Sequence, residues 1–153
     1  MITRAAVVAE ARTWIGTRFH HQAALKGAGC DCVGLVMGVG IALGLLPADF
    51  ATREEFAPFR GYSRVPAGDA LLEHAFSIFT IPLPRGEPSG PADVLLFRFG
   101  GDPCHVAILG DYPGGGLSLI HAYAPLRRVI ETRMDSAWEA RVTASYRMPG
   151  VEA

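Results

Sequence analysis

Residues 29–46 read GCDCVGLVMGVGIALGLL. An Asp just before an apolar run marks a helix start, because its carboxylate accepts N–H groups that the first turn leaves without partners. Asp31 is therefore expected to cap a helix running from Cys32 to Leu46 and ended by Pro47. Gly34, Gly38, Gly40 and Gly44 weaken helix propensity and fall at small-xxx-small spacings. That spacing can mark a dimer face in a membrane, but residues 32–46 fall short of the ~20 that a spanning helix needs. The run reads instead as a buried central helix under close neighbours. Cys32 occupies its first turn, where free N–H groups and the positive end of the helix dipole favour a thiolate.

On the N-terminal side, residues 3–15 form a helical pattern with Thr3 as N-cap and Gly16 as stop. Ala6, Val7, Ala11, Trp14 and Ile15 fall on one face. Residues 17–30 read as a polar, Gly-containing connection. On the C-terminal side, residues 68–79 are helix-like with Asp69 near the start, and the Pro-rich stretch 82–93 is a loop. After Asp93 the period changes to that of strands. VLLFRF (94–99), HVAIL (105–109), LSLIHAY (117–123), RRVIE (127–131) and TASYRM (143–148) read as strands, with a helical turn near 136–141. Helices first and antiparallel strands second make an α+β arrangement, and residues 1–153 are expected to form a single domain.

The composition narrows the function. Fourteen basic side chains face fifteen acidic ones, for a net charge of −1. Coating a polyanion needs a basic excess, so no nucleic-acid partner is expected. The opening MITRAAVVAEARTWIG lacks the uninterrupted apolar core of a signal peptide. Synthesis in the cytoplasm without export signal or membrane insertion is the expectation, and Cys30, Cys32 and Cys104 are expected as free thiols.

Two histidines complete the chemistry. A hairpin centred on Pro113 pairs residues whose numbers sum to 226, and 105 + 121 = 226. His105 and His121 would then sit directly cross-strand on one sheet face. A Cys at a helix start with two adjacent imidazoles forms a nucleophile, a base and an orienting residue. Cys104 points to the face opposite His105 and reads as structural. His20 and His21 are cleft or loop residues, and His74 is a surface residue. A zinc site would need C-x₂₋₄-C spacing, whereas Cys30 and Cys32 are C-x-C, so neither metal nor cofactor is expected.

The residues also carry a resemblance. GCDCVGLV (29–36) resembles the nucleophile motif of the NlpC-type cell-wall cysteine peptidases, whose common form is D-C-S-G-L. DVLLFRF followed by HVAIL resembles their catalytic-His strand, and LIHAYAP followed by RVIE resembles the segment of their third residue. WIGTRFHHQAALKGAGCDCVGLV and WEARVTASYRMPG resemble the two ends of a compact subgroup encoded with phage tails and gene transfer agents. The resemblance implies a papain-like α+β fold with the Cys-bearing helix packed on the sheet. It implies hydrolysis of amide bonds in peptidoglycan stem peptides, often the bond from D-glutamate to the diamino acid, without a cofactor. Cys32 matches the nucleophile, His105 the general base and His121 the orienting residue. Asp31, Phe19, His20 and His21 fall where substrate or oxyanion contacts are expected. The implied partners are the stem peptide and the proteins of a phage or gene-transfer-agent tail, with the domain acting at the wall as part of a particle. Val33 stands where many members have Ser. Phe19 stands where many have a Tyr, and Phe cannot donate that hydrogen bond. Two rival readings are an inactive structural tail-tip component of the same fold, and an amidase or acyltransferase acting on another amide or a lipid.

Overall fold

The computed structural model describes residues 1–54, 57, 71–101 and 103–153. Helix α1 (Arg4–Arg12) starts at Thr3, whose side chain accepts the Ala6 N–H. Its buried face is Val7, Val8 and Ala11. Helix α2 (Cys32–Ala42) begins at Asp31, whose side chain accepts the Gly34 N–H. It ends well short of Leu46. Gly44 adopts φ +69°, its N–H bonds the Ile41 carbonyl at 3.0 Å, and Leu45 N–H bonds the Gly40 carbonyl at 2.8 Å. This left-handed glycine closes the helix before Pro47 can.

The glycines of α2 answer to close approach. A Cβ on Gly34 would stand 1.9 Å from the Ala23 carbonyl oxygen, and one on Gly38 would stand 2.2 Å from the Trp14 ring. The helix is thus surrounded: the loop before it covers its start and α1 covers its middle. Among the described residues no helix is long and apolar enough to cross a membrane.

Helix α3 (Leu71–Phe79) follows, and the Asp69 expected at its start lies outside the described residues. The small strands β1 (Ala24–Leu25) and β2 (Gly29–Cys30) form a hairpin inside the stretch expected to be a plain connection. The remaining strands are β3 (Ile81–Pro82), β4 (Val94–Arg98), β5 (Pro103–Asp111), β6 (Leu117–Tyr123), β7 (Arg128–Arg133) and β8 (Val142–Arg147), with the short helix α4 (Ser136–Glu139) between the last two. They form one six-stranded antiparallel sheet in the order β3-β8-β4-β5-β6-β7. Residues 16–20 extend it beyond β7: Val129 N–H bonds the Thr17 carbonyl and Phe19 N–H bonds the Arg127 carbonyl, each at 2.9 Å. On its other side this segment holds β2, through Cys30 N–H to the Arg18 carbonyl at 2.9 Å. Backbone pairing therefore fixes the approach to Cys32 from the sheet edge.

Each sheet face has its own core. Val94, Leu96, Val106, Ile108, Ile120 and Ala122 pack with the helices, whereas Leu95, Phe97, Ala107, Leu109 and Leu119 form a second cluster joined by Trp138. Buried Asp93 pins the N-terminal helix to the last strand, through Arg4 at 3.3 Å and Arg147 at 2.9 Å.

Candidate active site

The β5–β6 hairpin decides the histidine geometry. Leu109 pairs with Leu119 and Asp111 with Leu117, so paired numbers sum to 228 and the centre is Gly114. The expected centre at Pro113 is off by one residue. Gly114, Gly115 and Gly116 all adopt positive φ, and they accommodate a five-residue turn closed by Tyr112 N–H to the Gly116 carbonyl at 2.9 Å. Because the sum changes by two, no side chain changes face. Carried along the strands, this register sets His105 across from Tyr123, since 228 − 105 = 123, with ring centroids 6.0 Å apart, and makes His121 the diagonal neighbour, with centroids 5.0 Å apart. Long side chains bridge such diagonals. His105 Nε2 and His121 Nδ1 lie 2.8 Å apart.

A further residue extends this chain of contacts. His121 Nε2 lies 3.1 Å from Thr132 Oγ1. Thr132, on β7, pairs with Leu119 of β6, two residues from the Ile130 that faces His121. The sequence reading missed it, although alternation along 128–133 would have put it on the histidine face. Trp138 closes the same side, with ring centroids 5.3 Å from His121 and 5.9 Å from His105. Asp135 caps α4 by accepting the Trp138 N–H at 2.9 Å and so sets the indole in place.

Cys32 reaches this assembly from α2. The backbone N–H groups of Val33 and Val106 favour the charged form of its sulfur, and Val106 directly follows His105 in β5. Cys32 and His105 line one cavity of about 320 Å³, together with Phe19, Phe99, Cys104 and Tyr123. Cys32 keeps 9% of its surface exposed, enough for the cavity to open on the thiol. Cys104 belongs to this wall as well. It does point away from the His105 face, but β5 begins at the cavity and both faces of its first residues meet it.

The other candidates are placed as follows. Asp31 is fully engaged by backbone: Oδ1 accepts Gly34 N–H at 2.8 Å and Oδ2 accepts Gln22 N–H at 2.7 Å. His21 Nδ1 lies 3.9 Å from Asp31 Oδ2. His20 is exposed, with Nδ1 3.1 Å from the His21 carbonyl. Neither imidazole lines the cavity, and Phe19 does. Cys30 is buried in the helix-side core, and His74 is exposed on α3.

Burial dominates the electrostatics. It pushes the Cys32 thiol up to about 12, aided by the adjacent Asp31 carboxylate and opposed by the two N–H donors. It pulls His105 down to about 3, with His121 adding to the effect, and His121 down to about 4. Burial thus works against the thiolate that the helix start favours, and against a charged imidazole as well. With Nε2 of His105 engaged by His121, Nδ1 is the nitrogen left to exchange a proton. A thiol and an imidazole that share one cavity can exchange a proton during nucleophilic attack.

Comparison with solved structures identifies the architecture. The NlpC/p60 domain of the peptidoglycan hydrolase SagA superposes with a TM-score of 0.58 at 24% identity, over 96% of this chain and 100% of that one. An NlpC/P60 family protein from Bacillus cereus gives 0.62 at 15% identity, over 95% of this chain and 40% of that one. The peptidoglycan hydrolase RipB from Mycobacterium tuberculosis gives 0.58 at 17% identity, over 95% of this chain and 64% of that one.

The chain has the NlpC/p60 fold.

At these identities the likeness speaks for the fold, which is the α+β arrangement expected from the sequence. No family model matches the chain, and no curated protein matches it. Within the NlpC/p60 fold, the helix start that bears Cys32 meets the sheet beside the strand that bears His105.

Proposed function

We propose that the protein is a cysteine peptidase that hydrolyses amide bonds in peptidoglycan stem peptides, with the bond from D-glutamate to the diamino acid as its target. Cys32 is the nucleophile, His105 the general base and then acid, and His121 the orienting residue. The observation that carries the reading is that Cys32, at the start of a helix, shares one cavity with His105, whose imidazole lies 2.8 Å from that of His121. The motif resemblance and the peptidoglycan hydrolases among the solved structures of this fold support the substrate class.

The chemistry starts from the neutral pair that burial favours. As sulfur attacks the carbonyl carbon, its proton passes to His105 Nδ1. The oxyanion that forms draws on the Cys32 N–H at the start of α2, since the Gly34 and Leu35 N–H groups are taken by Asp31. His105 then protonates the departing amine, leaving a thioester. Water attacks the thioester with its proton taken by His105, the acid product leaves, and the thiol is restored. His121 holds the His105 ring and shares the charge that appears on it. Phe19 contributes apolar wall, so the oxyanion depends on backbone donors.

The subgroup resemblance extends the proposal to a tail particle that carries the domain to the wall. Mass spectrometry of purified particles would detect it there.

Replacing Cys32 by Ala tests the central reading. Release of peptide from purified peptidoglycan should stop while the far-UV spectrum and unfolding midpoint stay near wild type. Unchanged release would end the proposal. Product masses separate a stem-peptide cleavage from amide or acyl transfer on a lipid, and a wild-type protein that releases nothing would be the inactive tail component.

A further inference from the structure

The sheet register sets one row of side chains across the site. Phe97 pairs with His105, Tyr123 pairs with Arg128, and Arg128 pairs with Arg18 of the edge segment. His105 and Tyr123 join the two halves, with ring centroids 6.0 Å apart. Paired residues project from the same face. The row therefore runs from the imidazole through Tyr123 to two guanidinium groups, at two and three strand spacings, or about 10 and 14 Å.

Both arginines are exposed, and neither has an ion-pair partner among the described residues. The carboxylates of this region are committed elsewhere. Glu131 is bonded by Arg12 at 2.8 Å and by Ser118 at 2.7 Å, and Asp31 accepts the N–H groups of Gln22 and Gly34. Like charges set directly opposite one another on a sheet destabilise it. A basic bias of the whole chain does not account for the two arginines, since the net charge is −1. The cavity itself is walled by Phe19, Phe99 and Tyr123 rather than by charges, and the arginines on its far side, Arg98 and Arg141, lie off this row, beyond Phe99.

We infer that Arg128 and Arg18 form an anion-binding shelf that takes a free carboxylate of the substrate peptide, about three extended residues from the bond that Cys32 attacks. This rests on the peptidase reading above and adds to it a determinant of specificity. A guanidinium binds a carboxylate through paired N–H donors, and the carboxylate relieves the repulsion between the two cations.

The test uses the intact protein and two synthetic stem-type peptides, one with free carboxylates and one with the same carboxylates amidated. Wild type should prefer the free-carboxylate peptide. The double variant Arg18→Gln, Arg128→Gln should lose roughly tenfold in kcat/KM on that peptide, carried by KM and shrinking with added salt. Its rate on the amidated peptide should stay at wild-type level. Arg85→Gln, at the opposite edge of the sheet, should change neither. The double variant removes a repulsion, so its unfolding midpoint should not fall. Equal treatment of both peptides by wild type, or an equal loss on both in the double variant, would overturn the inference. If wild type cleaves neither peptide, binding is read by calorimetry on the Cys32→Ala protein. Arginine-dependent binding of the free-carboxylate peptide alone would keep the shelf and sink the peptidase, and no difference would sink both.

Discussion

Acid should destabilise this protein through its imidazole pair, by an amount that can be worked out beforehand. His105 and His121 are 7% and 0% exposed, and burial lowers them from the ordinary 6.5 to about 3 and about 4. Below 6.5 the unfolded chain takes up protons on both rings while the folded chain refuses them until near 3 to 4. Stability is therefore complete above the unfolded value and is lost as pH falls toward the folded values. Between about pH 7 and about pH 5 this linkage costs about 2 kcal/mol for each ring. His121→Asn keeps a polar group on the sheet face and removes one titrating ring. Urea unfolding of both proteins at both pH values gives a double difference, in which the carboxylates and any pH-independent damage cancel. The variant should lose about 2 kcal/mol less than wild type over that interval, equivalent to roughly 4–8 °C in midpoint. An identical acid loss in the two proteins would refute the claim that the folded state holds this ring neutral.

Two further outcomes follow from the start of α2. Asp31→Asn removes the charge that helps hold the Cys32 thiol up, so the alkylation rate at fixed mildly alkaline pH should rise, with about tenfold more thiolate for each unit of fall; an unchanged rate would mean that burial acts alone. Gly34→Ala would favour an exposed helix by about 1 kcal/mol. Here its methyl meets the Ala23 oxygen at 1.9 Å, so thermal unfolding should instead show a loss of about 1–3 kcal/mol, and a gain would show that the loop yields freely.

What was legible in the sequence was local or periodic. Thr3 and Asp31 announced their helices by side-chain chemistry, and alternation gave β6 its observed bounds of Leu117–Tyr123. The same alternation put both imidazoles on one face, a conclusion that survived a two-residue change of register because the period is two. The register itself was not legible: three successive glycines permit turns of several lengths, and only packing selects the one centred on Gly114. The end of α2 was misplaced for a related reason, since a glycine can either continue a helix or close it and Pro47 looked the stronger signal. Residues 17–30 looked like a connection because their pairing partners, β7 and β2, are set by the tertiary fold. Thr132 was passed over because a lone Thr on a strand has no distinguishing sign until its neighbour is known to be His121.

The protonation state of the thiol shows why motif chemistry alone falls short. At a helix start, N–H donors stabilise a sulfur anion, and Cys32 has two of them. The same fold buries that sulfur and sets Asp31 beside it, and both effects favour the neutral form. The carboxylate cannot be dispensed with, since it holds the Gly34 N–H of the helix and the Gln22 N–H of the preceding loop at once. The residue that builds the start of α2 therefore also restrains the thiol there. In the proposed reaction, a pair that burial holds toward neutrality gives substrate binding no charge to desolvate, and charge forms as the proton crosses to His105. His121, 2.8 Å from Nε2, is the proposed acceptor for that imidazolium, and a developing oxyanion on bound substrate is the counter-charge that would favour it against burial.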